Sequence, residues 1–206
     1  MDWREQVARE KRASFRDDEY WGRGVPGFGD HAARIVVVGL APAAHGANRT
    51  GRVFTGDRSG DFLFASLHRC GLANQPMSIA RDDGLELDDT YVLAAVRCAP
   101  PANKPLPGER DACRPFFIRE LAALTQARVL VVLGAFAYDA TWATLREIGC
   151  ELPSRRARFG HLVEQAAGSY TIVGSFHPSQ QNTFTGRLTE PMLDAVFTRA
   201  VEIAAQ

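Results

Sequence analysis

The segment from residue 35 to residue 57 reads IVVVGLAPAAHGANRTGRVFTGD. It begins with a run of β-branched residues, Ile35–Val38, and continues into a glycine-rich loop that has no apolar periodicity. A strand that is continuously apolar, rather than alternating, is typical of a parallel sheet covered on both faces. The segment therefore predicts a buried strand followed by a long loop whose backbone amides can approach a ligand closely.

Three more segments have the same apolar character, and helical patterns lie between and around them. The predicted further strands are Thr90–Val96, Arg128–Leu133 and Tyr170–Phe176, and the predicted helices are Trp3–Lys11, Asp61–Arg69, Arg110–Leu124, Phe136–Ile148 and Glu190–Ile203. Strands that alternate with helices predict a three-layer α/β/α sandwich around a central, mainly parallel, four-stranded sheet. The stretch Trp21–His31 is predicted as a loop, and residues 1–206 as a single domain.

The composition is that of a soluble globular protein, with 46% hydrophobic and 23% charged residues. No apolar run approaches the ~18 residues of a membrane span, and the charged start MDWREQVAREKR does not resemble a secretory signal. These features predict a cytoplasmic protein that has no membrane partner.

The formal net charge is +0, which by itself does not indicate a nucleic-acid partner. Of the 24 basic residues, only Lys11 and Lys104 are lysines. A GC-rich genome would explain this bias, but arginine also binds phosphate with better geometry than lysine does. Arginines cluster in two loops, at Arg49, Arg52 and Arg58 and at Arg155, Arg156 and Arg158. These two groups are the candidates for contacts with DNA.

Polar loops follow three of the predicted strands, at Gly39–Asp57, Arg97–Lys104 and His177–Arg187. The carboxyl ends of parallel strands share one edge of a sheet, so these loops are expected to converge there. Neither the phosphate-binding G-x-x-x-x-G-K-[ST] nor the dinucleotide G-x-G-x-x-G pattern is present. The sequence therefore predicts no nucleotide cofactor and disfavours a nucleotide-binding regulatory domain.

Four side chains in these loops have both a structural and a chemical interpretation. His177 could be satisfied by a backbone carbonyl or could donate a hydrogen bond to an anionic leaving group. Either Asp57 or Ser59 could cap the following helix, and Asp57 could instead act in catalysis. Asn103 could form a turn or could pair with the edge of a base. Phe54 could pack into the core beneath the loop or could stack on a base. Together they favour a pocket for a nucleobase flipped out of DNA.

The loop sequences resemble the signature motifs of family 5, the B-type uracil-DNA glycosylases of bacteria and archaea. The similar segments are Gly39–Asp57, Arg97–Pro105, Ala112–Phe117 and His177–Thr189. The resemblance implies a monofunctional DNA-repair enzyme that hydrolyses the N-glycosidic bond of uracil and other deaminated bases. It also implies double-stranded, and in some cases single-stranded, DNA as the partner, and we expect the protein to act as a monomer.

The resemblance implies a role for each of the four side chains. Phe54 would stack on the extruded base, Asn103 would read its Watson–Crick edge, His177 would stabilise the departing base, and Asp57 would orient water or stabilise the sugar cation. The residues implied to contact base or DNA are Gly39, Ala41, Pro42, Ala43, Phe54, Asn103, Ser179 and Arg187.

Leu40 occupies a position at which other branches of the superfamily carry an acidic or amide residue. Leucine cannot activate water, so the resemblance assigns that task to Asp57. The alternative is a damage-binding module of the same fold that has little or no turnover.

Cysteines occur at positions 70, 98, 113 and 150, and none forms a C-x-x-C pair. In a reducing compartment, free thiols or metal ligands are more common than disulfides. The resembled family usually holds a 4Fe–4S cluster with four cysteines, and Cys98 and Cys113 match its later pair. The earlier pair is expected just before the helix Trp3–Lys11, so either the chain is truncated or the cluster has been lost. Cys70 and Cys150 are predicted to be core or surface thiols.

Overall fold

Six strands form a single sheet in the structure, a computed structural model that describes residues 2–206. In chain order they are β1 (Phe28–Gly29), β2 (Ile35–Gly39), β3 (Thr90–Ala94), β4 (Val129–Leu133), β5 (Glu164–Ala167) and β6 (Tyr170–Ser175). Their order across the sheet is β1–β3–β2–β4–β6–β5. The four central strands are the four predicted ones, and neighbours among them run parallel.

The prediction of a four-stranded sheet is wrong at both edges. β1 pairs with β3 and β5 pairs with β6, and both pairings are antiparallel. β1 is only two residues long and lies in the stretch predicted as a loop, while β5 has the sequence EQAA, whose residues have little strand propensity. Neither edge has the continuous apolar run by which the central strands are recognised.

Seven α-helices are found in residues 2–206: α1 (Asp2–Glu10), α2 (Ala47–Thr50), α3 (Arg58–Arg69), α4 (Pro107–Ala123), α5 (Ala135–Glu147), α6 (Gln180–Phe184) and α7 (Glu190–Ala204). The five longest correspond to the predicted helices. α3 begins three residues earlier than predicted because Asp57 caps it, and α4 begins earlier because Pro107 is well suited to a first helical turn. The short helices α2 and α6 lie within loops predicted as irregular.

Hydrophobic clusters cover both faces of the sheet. On one face, alternate residues of β2 such as Ile35 and Val37 pack with apolar side chains of α3 and α7. On the other face, Val36 and Val38 pack with side chains of α4 and α5. The three-layer α/β/α prediction is therefore confirmed.

The carboxyl edge of the sheet brings three loops together. β2 lies between β3 and β4, so the chain turns to opposite sides of β2 and leaves a crevice at this edge. Beyond the regular strand, Ala95 and Val96 donate backbone hydrogen bonds to the carbonyls of Gly39 and Leu40. These bonds hold the loop after β3 beside the loop after β2. Within residues 2–206, no helix is long and apolar enough to cross a membrane.

Candidate active site

A cavity of about 390 Å³ lies at the carboxyl edge of the sheet. It is lined by Leu40, Ala41, Ala43, Val53, Phe54, Asp57 and Ser59 from the loop after β2 and the start of α3, by Ala94, Ala102, Asn103 and Lys104 from the end of β3 and its loop, and by His177, Ser179 and Gln181 from the segment after β6. This volume is in the range of small-molecule sites. All three predicted loops contribute to its wall.

Phe54 forms one wall of the cavity in a backbone conformation that is unusual for its residue type. Its φ is 52°, in the left-handed region, which costs about 1 kcal/mol or more for a residue other than glycine. A methyl group built on Gly39 would lie 2.5 Å from Cε2 of Phe54, so the ring rests directly on the end of β2. Phe54 therefore packs on the core and also lines the cavity.

His177 lies beside Phe54, two residues after the end of β6. The two ring centroids are 5.9 Å apart and their planes are inclined by 33°. Burial lowers the pKa of His177 to about 4, so the imidazole is neutral near pH 7. No hydrogen bond from this ring to another described residue is found, while its backbone carbonyl accepts one from Nδ2 of Asn182 at 2.8 Å. The ring nitrogens are thus available to a molecule in the cavity.

Asp57 is the N-cap of α3, as its structural interpretation predicted. Its Oδ1 accepts hydrogen bonds from the backbone N–H groups of Ser59 at 2.9 Å and Gly60 at 3.0 Å. A methyl group built on Gly46 would collide with Oδ2, so this carboxyl lies against bare backbone. Burial raises the pKa of Asp57 above its usual value, and the two backbone hydrogen bonds oppose that rise. The capping role uses one oxygen of a side chain that also lines the cavity.

Asn103 lies at the rim of the cavity in a strained 3₁₀ turn, Pro101–Asn103. Ala102 and Asn103 both have left-handed backbones, with φ of 52° and 54°. Asparagine tolerates this conformation, so the turn explains its presence in part. Its side chain is exposed and has no hydrogen-bond partner within residues 3–206, so the amide can meet a ligand.

Seven of the predicted site residues line the cavity together: Asp57, His177, Asn103, Ala41, Ala43, Phe54 and Ser179. Gly39 supports the ring of Phe54 from behind, Pro42 is buried, and Arg187 is exposed with its guanidinium 4.6 Å from the ring centroid of Phe176. These last three do not line the cavity. Val53, Ser59, Ala94, Ala102, Lys104 and Gln181 line it but were not predicted. Their only signal in the sequence is proximity to the predicted residues.

Arg52 corrects the expectation that the arginines of the first loop surround the pocket to bind DNA. Its side chain is only 6% exposed, and Nη2 is 2.8 Å from both carboxylate oxygens of Asp83. Nε donates to Oγ1 of Thr55 at 2.9 Å, and Nη2 also donates to Oγ of Ser78 at 2.8 Å. Arg52 therefore fastens the loop that carries Phe54 and Asp57 to the segment around Ser78.

We expect Arg52→Met to destabilise the protein by on the order of 3 kcal/mol, because it leaves the carboxylate of Asp83 without its buried partner. This corresponds to a Tm lowered by roughly 6–12 °C for a domain of this size. Thermal unfolding measures the effect. Arg34→Met is the matched control, because Arg34 pairs with Asp89 at 2.7 Å but is 43% exposed. Equal Tm losses in the two variants would contradict the fastening role of Arg52.

Two of the four cysteines lie beside a second cavity, of about 640 Å³. Sγ of Cys98 accepts a hydrogen bond from Nη1 of Arg4 at 2.7 Å, and Sγ of Cys113 accepts one from the backbone N–H of Arg97 at 3.4 Å. In residues 2–206, no group of three or more histidine, cysteine or acidic residues is placed to hold a metal ion. These residues supply two thiols and do not by themselves fit a cluster that takes four cysteines.

Cys70 and Cys150 do not line the cavity beside Cys98 and Cys113. Sγ of Cys70 is 3.6 Å from the backbone carbonyl of Asp194, and both thiols pack at the margins of the hydrophobic clusters. This position agrees with the prediction of core or surface thiols.

Comparison with known proteins supports the same family as the loop motifs. The family model described as the uracil DNA glycosylase superfamily matches residues 26–200. The chain belongs to this superfamily. The matched range includes every residue of the active-site cavity in this uracil-DNA glycosylase fold.

Within the superfamily, the chain is similar to proteins named type-5 uracil-DNA glycosylase. It is 48% identical to the one from Mycobacterium leprae over 206 residues, which is 99% of this chain and 88% of the relative. It is also 48% identical to the one from Thermus thermophilus over 202 residues, 98% and 90% of the two chains. A type-4 uracil-DNA glycosylase from Thermotoga maritima is 30% identical over 156 residues. The resemblance to family 5 is confirmed.

Proposed function

We propose that this protein is a monofunctional DNA glycosylase that removes uracil and other deaminated bases from DNA. The observation that carries the proposal is the placement of Phe54, Asp57, Asn103 and His177 around one cavity. An aromatic face, a carboxylate, an amide and a neutral imidazole are the groups needed to hold a flipped-out base and to cut its bond to the sugar. The relatives named type-5 uracil-DNA glycosylase support the same substrate class.

In the proposed reaction, the bond between C1′ of deoxyribose and the base nitrogen breaks, and its electron pair leaves with the base. The neutral ring of His177 donates a hydrogen bond to the base as negative charge develops on it. Phe54 stacks on the base, and Asn103 pairs with its polar edge. Water then adds to C1′, and the proton that it loses neutralises the base anion, so the products are free base and an abasic site.

Asp57 serves the sugar side of the reaction in this proposal. Its carboxylate stabilises positive charge near C1′ or orients the water, and Oδ1 meanwhile remains the cap of α3. Leu40 also lines the cavity but has no polar atom on its side chain, so it cannot take that role. No step passes through an iron–sulfur cluster, and no nucleotide cofactor is required.

We expect duplex DNA to be the main partner and single-stranded DNA a further substrate. One copy of the chain suffices in this proposal, because all the cavity residues come from a single chain.

The proposal predicts that the protein releases free uracil from a duplex oligonucleotide that carries one uracil and leaves the undamaged strand intact. Parallel substrates contain hypoxanthine, xanthine or an unmodified base, each in duplex and in single-stranded form. Chromatography detects the released base, and denaturing electrophoresis without alkali shows whether the strand that carried the base remains uncut. Tight binding to uracil-containing duplex with no base release would instead indicate a damage-binding module.

A further inference from the structure

Two exposed arginines lie over the same indole ring, outside the active-site cavity. The guanidinium carbon of Arg23 is 4.3 Å from the ring centroid of Trp21, and that of Arg81 is 4.6 Å from it. Neither side chain forms an ion pair with a carboxylate in the described part of the chain, although Asp82 adjoins Arg81. Stacking on the indole restricts each cation while it leaves the N–H groups directed at solvent.

The segment Gln75–Arg81 also exposes two large apolar side chains. Met77 is 55% exposed and Ile79 is 58% exposed. The carboxylate of Asp83 accepts hydrogen bonds from the N–H groups of Ile79 at 2.7 Å and Ala80 at 3.2 Å. The same carboxylate is paired with the buried Arg52, so the segment is held in a fixed shape.

This segment lies directly beside the active-site loop. The N–H of Gly56 donates to the carbonyl of Ser78 at 2.8 Å, and Gly56 adjoins Asp57 in the chain. Trp21 is connected to the same loop, because its backbone N–H donates to the backbone carbonyl of Arg49 at 2.9 Å. The two arginines stacked on Trp21 and the exposed side chains of Met77 and Ile79 therefore flank the cavity on the side of the loop after β2.

We propose that Trp21, Arg23 and the segment Gln75–Arg81 form a DNA-binding surface, in which Arg23 and Arg81 bind backbone phosphates next to the flipped-out nucleotide. The inference rests on the proposed function, since it takes the DNA around the damaged base as the partner. Two cations without carboxylate partners complement the phosphates, and Met77 and Ile79 contact sugars and base edges. Neither arginine belongs to the two clusters that stand out in the sequence.

The test measures Kd as a function of salt concentration for a short duplex with one central 2′-fluoro-2′-deoxyuridine, because the fluorine blocks cleavage. Arg23→Ala/Arg81→Ala should raise Kd on the order of tenfold at low salt and lower the slope of log Kd against log salt by about two. Base release from an ordinary uracil duplex should be slowed most at DNA concentrations below Kd, because the defect is in binding. Arg23→Lys/Arg81→Lys should retain most of the salt slope, because the charges remain.

The matched control is Arg128→Ala/Arg146→Ala, which removes the same charge from exposed arginines at the opposite, amino edge of the sheet. Its Kd and salt slope should stay close to those of the wild type. If the two double alanine variants bind alike, or if Arg23→Ala/Arg81→Ala binds like the wild type, the surface does not contact DNA. Base release by the wild type is measured separately, so failure of the glycosylase proposal is distinguished from failure of this surface.

Discussion

Replacing His177 with alanine is expected to lower the single-turnover rate of uracil release by about 10²-fold or more while duplex affinity changes little. The imidazole faces the cavity beside Phe54, with no partner for its ring among the described residues. Loss of one donor to a developing anion typically costs about 3–4 kcal/mol of transition-state stabilisation. The same donor contributes little before the bond begins to break, so binding should be spared.

The measurement is base release from saturating uracil-containing duplex, together with Kd for the 2′-fluoro duplex. His177→Gln retains a neutral donor and should recover part of the lost rate. His68→Ala is a control, because His68 is exposed in the last turn of α3 and does not line the cavity. Excision by His177→Ala at the wild-type rate would remove His177 from the chemistry.

Asp57→Asn is expected to lower the rate of base release by about 10²-fold, which is about 2.7 kcal/mol at the transition state, without lowering Tm. Asparagine caps helices about as well as aspartate does, so α3 should keep its first turn. Burial raises the pKa of Asp57, which means that the folded protein disfavours the charged carboxylate. Removing the charge should therefore leave Tm at pH 7 unchanged or slightly higher.

The pH dependence provides a second readout for Asp57. Because the carboxyl pKa is raised and the ionised form is required, the acid limb of the wild-type rate profile should lie above the usual aspartate pKa. Activity is present above that limb and lost as pH falls through it. Asp57→Asn should lack this limb. Asp88→Asn is the control, because Asp88 is an exposed carboxylate that does not line the cavity. Equal activity of Asp57→Asn and the wild type would leave Asp57 with its capping role alone.

The central sheet could be predicted from the sequence because burial on both faces leaves a direct pattern, as in the run Ile35–Val38. The edge strand β5 has no such pattern, since its outward residues meet solvent and its pairing depends on β6. The short helix α6 likewise could not be predicted, because five residues of mixed polarity show no helical periodicity.

Most of the active-site cavity could be predicted from the three loops, because the ends of parallel strands converge in any fold of this class. The environments of the arginines could not be predicted from the sequence. Three arginines lie close in sequence, at positions 49, 52 and 58, but only Arg52 is buried. Its ion-pair partner, Asp83, is 31 positions away in the chain. The exposed pair Arg23 and Arg81 becomes visible only when the fold brings both residues to Trp21.

The bare backbone behind Phe54 and Asp57 has a consequence for mutational screening. Gly39 touches the ring of Phe54 and Gly46 touches the carboxyl of Asp57, and neither glycine lines the cavity. Any larger residue at either position would displace an active-site group, even if the protein remained folded. A saturation screen scored on repair would therefore rank both glycines among the least replaceable positions, although neither carries a reactive atom. A library designed to widen the range of excised bases should hold these two codons fixed and vary Leu40, Ala41 and Ala43, whose side chains form part of the wall.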